Sequence, residues 1–226
     1  MNKNIFQYQT WHLLLLTALL VLLTTYISQN PQILIGSYLN ISARTWFYLA
    51  IAVPIIHQVY VMLVWRFELY QRTFSQRWGM NQAFKIYTIG FSILFASRLI
   101  SIILLAISTQ HSWDISPLIA YTTAAIITPL VLYLFYSVKT YFTMERAYGI
   151  DHFEPNYNKP YIKQGIFKYT DNGMYIFGLM ILYLPSLLLF SKAAFIAALF
   201  NHIYIWVHYY CTEKPDMRTI FGKTAS

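Results

Sequence analysis

The chain has 226 residues, of which 58% are apolar and 11% are charged, and its formal net charge is +8. A soluble domain carries about 25% charged residues, so this chain has too little charge to cover a surface exposed to water. The composition therefore excludes an ordinary soluble domain and predicts an all-α, polytopic membrane helix bundle.

The apolar residues are gathered into six segments, and each comes close to the roughly 20 apolar residues that a spanning helix needs. These predicted spans are 11–27, 46–65, 84–107, 117–138, 174–190 and 193–210. The first is interpreted as a retained helix rather than a cleaved signal peptide. Only Ser191 and Lys192 separate the last two, which predicts a tight antiparallel hairpin at the end of the bundle.

The basic residues alternate in density from loop to loop. The segment after the second span, the segment after the fourth and the tail are rich in Lys and Arg, whereas the opposite loops offer only Arg44 and Lys192. Since cytoplasmic loops are enriched in Lys and Arg, both termini and the loop 143–172 are expected on the cytoplasmic side. The positive charge thus indicates a membrane face rather than nucleic acid, and the membrane would be a bacterial inner membrane or the endoplasmic reticulum.

Two regions are predicted, a four-helix membrane region at 1–142 and a catalytic region at 143–226, which together form one integrated domain. The loop 143–172 opens the second region and is rich in aromatic and charged residues. Loops longer than about 12–15 residues without structure of their own are uncommon unless they are functional or disordered. The composition favours a functional loop.

Several common site motifs are absent from the sequence. The eight glycines form neither a GxGxxG sequence nor a P-loop, and there is no HExxH, CxxC or GxSxG. The single cysteine, Cys211, excludes an intramolecular disulfide. No metal site is predicted, and a chemistry other than Rossmann or P-loop nucleotide binding is expected.

Two polar residues fall within predicted spans. Arg98 lies midway along the third span, where an unpaired charge costs several kcal/mol, about 3 on the lower scales. It is expected either to be paired structurally or to hold a lipid phosphate. His57, on the second span, is interpreted as a hydrogen-bonded packing residue.

The stretch GIFKYTDNGMYIFG at 165–178 places a polar turn directly before an apolar run. Asn and Gly tolerate left-handed conformations and Asp accepts bonds from nearby backbone N–H groups, so Asp171-Asn172-Gly173 predicts a turn. Glu213 lies at the end of the sixth span, which is expected to stop at Lys214-Pro215. A short hairpin brings this turn and Glu213 to one membrane face, which predicts a pocket at the cytoplasmic interface beneath the long loop.

The sequences KYTDNGMYIFG and YCTEKPDMRTIFG resemble motifs of the integral-membrane methyltransferases. This family contains the phosphatidylethanolamine N-methyltransferases and the isoprenylcysteine carboxyl methyltransferases, and the resemblance covers roughly residues 141–222. The Asp-Asn-x-Met-Tyr sequence is more similar to the motif of the phospholipid enzymes than to that of the isoprenylcysteine enzymes. Two departures are Gly173, where the family usually has Pro, and Lys214, where many members have a second Glu.

The resemblance implies S-adenosylmethionine as cofactor and a lipid acceptor that enters from the bilayer. It also implies that Gly149 lets the loop backbone approach the cofactor and that Glu213 holds one of its polar ends. The residues implied to shape the cofactor pocket are Asn172, Gly173, Met174, Tyr175 and Gly178.

Methyl transfer requires alignment of the reactants more than a covalent nucleophile, and an amine acceptor must be neutral. Glu213, His208 or Asp171 could serve as the base, and the sequence does not choose among them. Substrate contacts are expected from Arg146, Lys168 and Tyr169. The basic residues of the cytoplasmic face, Arg146, Lys163 and Lys168, either hold a lipid phosphate or reflect the ordinary positive-inside bias.

The acceptor favoured by these observations is the amine of phosphatidylethanolamine or of its partly methylated forms. A carboxylate on an isoprenoid or prenylcysteine molecule is an alternative acceptor. Two alternatives from other classes are a sterol-reductase-like oxidoreductase and a non-enzymatic six-helix transporter or binding protein. Polar residues at one cytoplasmic end rather than near the midplane disfavour transport. The oligomeric state is left open.

Overall fold

The computed structural model describes residues 5–155, 157 and 162–222. Within these residues, four helices are long and apolar enough to cross a membrane, the fourth counted together with the turn that extends it to Phe142. They are α1 (Gln9–Gln29), α2 (Ala43–Gln71), α4 (Met80–Ser108) and α5 (Pro117–Ser137). The predicted all-α membrane architecture is confirmed, but neither the count of six spans nor the terminal hairpin is.

Short elements connect these helices. A pair of two-residue antiparallel strands, β1 (Ser37–Tyr38) and β2 (Ile41–Ser42), leads into α2, and Ser42 caps that helix by accepting a hydrogen bond from the Thr45 backbone N–H. A 3₁₀ turn at Pro31–Leu34 follows α1. Helix α3 (Thr73–Trp78) joins α2 to α4.

The loop expected to be functional contains several turns of helix. A π-turn at Val138–Phe142 continues α5, and α6 (Met144–Ala147) follows it. Two 3₁₀ turns come next, at Ile150–His152 and at Gly165–Lys168. These short elements lie next to the cavities described below.

The fifth predicted span, 174–190, is not one continuous helix. It is divided into α7 (Gly173–Ile176), a 3₁₀ segment at Gly178–Tyr183 and α8 (Leu184–Leu188). Gly178 at the first break has weak helix propensity, and Pro185 in the first turn of α8 has no N–H to continue the preceding ladder. Both sequence signals were present, and they explain the interruption.

The last segment continues beyond its predicted end. Helix α9 (Lys192–His208) runs through a π-turn at Tyr209–Glu213 into α10 (Lys214–Phe221). The expected stop at Lys214-Pro215 is therefore wrong. Proline is tolerated in the first turn of a helix because the N–H it lacks would have no partner there, and Pro215 occupies that position in α10.

Helix α9 lies at the centre of the main core. Its face of small residues, Ala193, Ala194, Ala197 and Ala198, is fully buried against α2, α4 and the 3₁₀ segment Gly178–Tyr183. Small side chains let helix backbones approach closely, which is typical of helix packing in membranes. This packing places the end of α9 beside the loop that precedes α7.

A buried arginine holds α2 to the chain's two ends. Arg66 is fully buried, and its Nε lies 2.7 Å from Oδ1 of Asp216 on α10. Its Nη1 donates to the backbone carbonyls of Ile5 and Gln7, and its Nη2 donates to the carbonyl of Cys211. These bonds fix the position of the π-turn that presents Glu213.

Candidate functional site

A cavity of about 160 Å³, here named the polar cavity, lies between the end of α2, the 3₁₀ turn Ile150–His152, α7 and the π-turn Tyr209–Glu213. Seven of the residues singled out from the sequence line it: Arg146, Gly149, Asp171, Asn172, Met174, Tyr175 and Glu213. The polar turn and the end of the last apolar segment thus meet at one cavity, as the short connection between them predicts.

One wall of the polar cavity is a stacked pair of rings. Trp65 and His152 lie with ring centroids 4.0 Å apart and planes 15° from parallel. Gly149 has a φ of +83°, and a Cβ at this position would lie 2.5 Å from Cζ2 of Trp65. Only glycine fits both constraints, so Gly149 lets the loop backbone pass directly over this indole ring.

The ring of His152 also contacts α10. The Nδ1–H of His152 donates to the carbonyl of Gly149 at 3.3 Å, and its Nε2 lies 3.6 Å from Oδ2 of Asp216. Asp216 in turn is paired with Arg66. The orientation of the ring wall therefore depends on the buried ion pair between α2 and α10.

Glu213 carries the most unusual electrostatic environment in the cavity. Its Oε2 atom is enclosed and has no hydrogen-bond partner among the described residues. Burial in the first place, followed by the carboxyl groups of Asp216 and Asp151, raises the pKa of Glu213 to about 8. A carboxyl group in this state binds a proton or a cation readily, because either one relieves the penalty of a buried negative charge.

Asp151 and Arg146 form a second charged feature of the cavity. Arg146 Nε lies 3.8 Å from Oδ2 of Asp151, and its guanidinium lies 5.3 Å from the ring centroid of Phe142. Burial raises the pKa of Asp151, while the charge of Arg146 opposes this shift. Arg146, expected as a substrate contact, is thus also held by an acidic partner within the loop.

The remaining predicted residues differ in their placement. Asp171 lines the polar cavity but lies 2.8 Å from the Nζ of Lys163, and both side chains are exposed. Gly173 is buried at the start of α7, where an added Cβ would lie 3.2 Å from Ile166. Lys168 and Tyr169 are exposed and line neither of the two cavities described in this section.

A second cavity of about 240 Å³, here named the apolar cavity, lies beside the first and extends between α2, α4, α5 and α9. Trp65, Ala147, Met174 and Tyr175 line both cavities. The apolar cavity also contains two predicted residues, Gly178 and His208. It contains His57 and Arg98 as well. The interpretation of His57 as a hydrogen-bonded packing residue is wrong, because neither of its ring nitrogens has a hydrogen-bond partner among the described residues.

Sequence reasoning missed several residues of the polar cavity. Trp65 ends the second predicted span, and nothing in the local sequence distinguishes it from other aromatic residues at the ends of spans. Asp151 and His152 belong to the long loop, and Tyr209 lies in a π-turn that shifts the register of the helix. Their grouping depends on long-range packing. No group of three or more His, Cys, Asp or Glu able to hold a metal occurs within residues 5–155, 157 and 162–222.

Comparison with known proteins bears on this same part of the chain. Residues 117–224 match the model of the phospholipid methyltransferase family. This matched segment, slightly less than half of the chain, is similar to the phospholipid methyltransferases. No curated protein and no solved structure matches the chain. The resemblance inferred from the two short motifs is thereby confirmed.

The matched segment contains every predicted cofactor residue, from Gly149 to Glu213. The other side of both cavities comes from outside this segment, because Trp65, His57 and Arg98 lie on α2 and α4. Side chains of the amino-terminal helices therefore line both cavities together with the matched segment. The proposed division of the chain at residue 142 stays a prediction.

Proposed function

We propose that this protein is an S-adenosylmethionine-dependent methyltransferase that acts on the amine of a membrane phospholipid. The observation that carries the proposal is the pair of adjoining cavities, which share Trp65, Met174 and Tyr175 as common walls. A polar cavity beside an apolar one suits a charged donor on one side and a lipid acceptor on the other. The family match supports this interpretation over a sterol reductase or a transporter.

The residues of the polar cavity fit the proposed cofactor. S-adenosylmethionine, when bound, supplies an electrophilic methyl group on a positively charged sulfur, and it also carries an ammonium group. Glu213 offers an enclosed carboxyl oxygen without a protein partner, and Asp151 lies in the same lining. Bringing a cation beside such a carboxyl group favours its ionised form and stabilises both charges.

The aromatic lining supports the same assignment. The Trp65–His152 stack forms a flat wall, and the rings of Tyr175 and Tyr209 lie 5.5 Å apart on the π-turn side. Flat aromatic faces suit both a purine ring and a cationic centre. Walls of this kind also exclude water and hold the reacting groups in line, which is the main requirement of a direct displacement.

Among the three candidate bases, the geometry favours His208. Asp171 is engaged by Lys163 at the surface, and Glu213 faces the proposed cofactor. His208 is buried in the apolar cavity, and neither of its ring nitrogens has a hydrogen-bond partner among the described residues. A neutral imidazole in this position can accept the proton that an ammonium acceptor must lose.

The proposal also includes the membrane topology. The apolar segment Gly173–Leu188 and the 17-residue helix α9 would cross the bilayer as a hairpin, giving six spans. The basic loops would then lie on the cytoplasmic side together with the polar cavity, which would lie at the level of lipid headgroups. The apolar cavity would extend from there towards the middle of the bilayer, where His57 and Arg98 lie on their helices.

Methyl incorporation tests the function directly. Purified protein would be incubated with S-adenosylmethionine labelled in its methyl group and with phosphatidylethanolamine, its monomethyl form or a prenylcysteine. Label is expected in the ethanolamine lipids. His208→Phe should lose most of this transfer while still binding S-adenosylhomocysteine, and Glu145→Gln, at an exposed position outside both cavities, should retain it. Label in the prenylcysteine alone would refute the phospholipid assignment.

Cysteine labelling tests the topology. Single cysteines at Ser37 and Glu145, both exposed, would be introduced separately into a Cys211→Ser background. A membrane-impermeant thiol reagent should reach position 37 from outside and position 145 only after the membrane is opened. Labelling of both positions from the same side would contradict the proposed arrangement.

A further inference from the structure

Three buried polar side chains from three different helices meet in the apolar cavity. They are His57 on α2, Arg98 on α4 and His208 on α9, and each has only 2% of its surface exposed. The other polar groups in the lining are few, and no Asp or Glu occurs among the described lining residues. The cavity therefore combines apolar walls with a single fixed positive charge.

The polar atoms of this group are not satisfied by the protein. Both ring nitrogens of His57, both of His208 and the Nε of Arg98 have no hydrogen-bond partner within the described residues. Arg98 donates one bond, from Nη2 to the carbonyl of Pro54 at 3.3 Å, and no carboxylate of the described chain lies within ion-pair distance of it. Leaving such donors buried and unpaired is costly, so a charged residue within a span commonly marks a ligand site.

The remainder of the cavity suits a hydrocarbon chain. Phe91, Phe95, Leu134, Phe135, Leu179 and Ile205 contribute apolar surface. Phe95 on α4 and Phe135 on α5 are each 40% exposed, so the cavity lining reaches the outer surface on these two helices. Helices α4 and α5 make few contacts with one another. An acyl or isoprenoid chain could enter through this side from the bilayer.

We infer that the apolar cavity binds an amphiphilic lipid through an oxyanion, held by Arg98 and His57, with the apolar chain against the phenylalanine and leucine side chains. The inference rests on the proposed function and narrows its acceptor to lipids that carry a phosphate or a carboxylate. A lipid whose head is only cationic is disfavoured, because Arg98 would repel it. His208 lies 5.9 Å from the Trp65 ring of the shared wall, measured between centroids, which leaves it beside the reacting group.

Two matched lipid pairs test this inference without requiring turnover. The first pair is dioleoyl phosphatidic acid and dioleoylglycerol, which differ only in the phosphate, and the second is farnesylcysteine and its methyl ester. Binding of each lipid to the detergent-solubilised protein would be measured by native mass spectrometry. The wild-type protein should bind the oxyanion-bearing member of at least one pair about tenfold more tightly, a difference of about 1.4 kcal/mol. Preference in the first pair alone identifies a phosphate, and preference in the second alone identifies a carboxylate.

Variants test whether the preference for oxyanion-bearing lipids arises in the apolar cavity. The binding ratio is the affinity for the oxyanion-bearing lipid divided by the affinity for the other member of its pair. Arg98→Gln should bring this ratio close to one, whereas Arg98→Lys should keep most of the preference. The affinity for S-adenosylhomocysteine should be unchanged in both variants. If Arg98→Gln does not fold, as judged by loss of S-adenosylhomocysteine binding, His57→Phe takes its place and should lower the ratio as well. Equal binding within both pairs by the wild-type protein would overturn the inference, as would a folded variant that keeps the full ratio. A lipid preference without any binding of S-adenosylhomocysteine to the wild-type protein would instead refute the proposed function alone.

Discussion

The environment of Glu213 leads to a quantitative prediction about pH. Because its pKa is about 8 in the cofactor-free protein, its carboxyl group is mostly protonated at neutral pH. About 1% would be ionised at pH 6 and about half at pH 8. The ammonium group that S-adenosylmethionine and S-adenosylhomocysteine share favours the ionised form, so binding of either molecule should release a proton from Glu213 over this range.

The expected magnitude follows from the two ionised fractions. The affinity for S-adenosylhomocysteine should rise about 50-fold between pH 6 and pH 8, which is about 2.3 kcal/mol, provided that the bound form stays ionised throughout. Glu213→Gln should bind more weakly at pH 8 and show little of this rise. Asp151 lines the same cavity, so any slope that remains in the variant measures what the other groups contribute.

Titration calorimetry in detergent provides the assay. The dissociation constant would be measured across this pH range for the wild-type protein, for Glu213→Gln and for Glu145→Gln as the exposed control. Repeating each titration in two buffers with different ionisation enthalpies counts the protons released. The reasoning would be refuted if Glu213→Gln kept the wild-type slope, because the proton would then leave from another group.

The raised pKa of Glu213 also affects the stability of the cofactor-free protein, which should fall with rising pH while the cofactor affinity rises. The folded state holds the proton of Glu213 more tightly than the unfolded chain, so stability from this group is complete at low pH. It is lost as the pH rises from about 4.5 towards 8. The melting temperature of Glu213→Gln should therefore exceed that of the wild-type protein at pH 8, and the two should converge near pH 5. A constant difference at all pH values would contradict this explanation.

Two substitutions test the framework behind the site. Gly149→Ala should lower the melting temperature and weaken S-adenosylhomocysteine binding, because the added methyl group meets Trp65 at 2.5 Å. Gly79→Ala is its matched control, since Gly79 has a similar φ of +76° but an added Cβ there contacts nothing, and an equal loss in both variants would count against the clash. Asp216→Asn should destabilise the fold by about 3–5 kcal/mol, the usual effect of removing one partner of a buried ion pair, because it leaves the Arg66 charge uncompensated. Chemical denaturation measures this loss, and an unchanged midpoint would show that the backbone carbonyls alone satisfy that arginine.

The parts of the site that could be predicted from the sequence are those determined by local chemistry. The turn around Asn172 follows from the conformational preferences of Asn and Gly, and the position of Glu213 follows from the short connection between the last two apolar segments. The interruption at Gly178 and Pro185 could also have been predicted, because both residues weaken a helix. The apolar content of 174–190 does not show this interruption, because Gly178 and Pro185 change the backbone and leave the hydropathy of the segment high.

The ring wall and the polar group of the apolar cavity could not be predicted in the same way. Trp65 contacts His152 across 87 positions of sequence, and Arg66 meets Asp216 across 150. No local pattern encodes these pairs, which exist only because α2 packs against the loop and α10. The π-turn at Tyr209–Glu213 has no clear sequence signature either, although it decides which face of the last helix presents Glu213 to the cavity.

The contrast between Arg66 and Arg98 shows how a structure can distinguish two arginines that look alike in sequence. Both are buried and both belong to apolar helices, so their burial alone indicates nothing about function. Arg66 is surrounded by a carboxylate and several backbone carbonyls, and its charge is accounted for within the fold. Arg98 has a single carbonyl partner at the edge of hydrogen-bond distance and lies on an apolar cavity beside two imidazoles that have no partner among the described residues. A buried cation that the fold leaves unpaired needs an anion from elsewhere, and in this cavity the lipid acceptor is the molecule that can bring one.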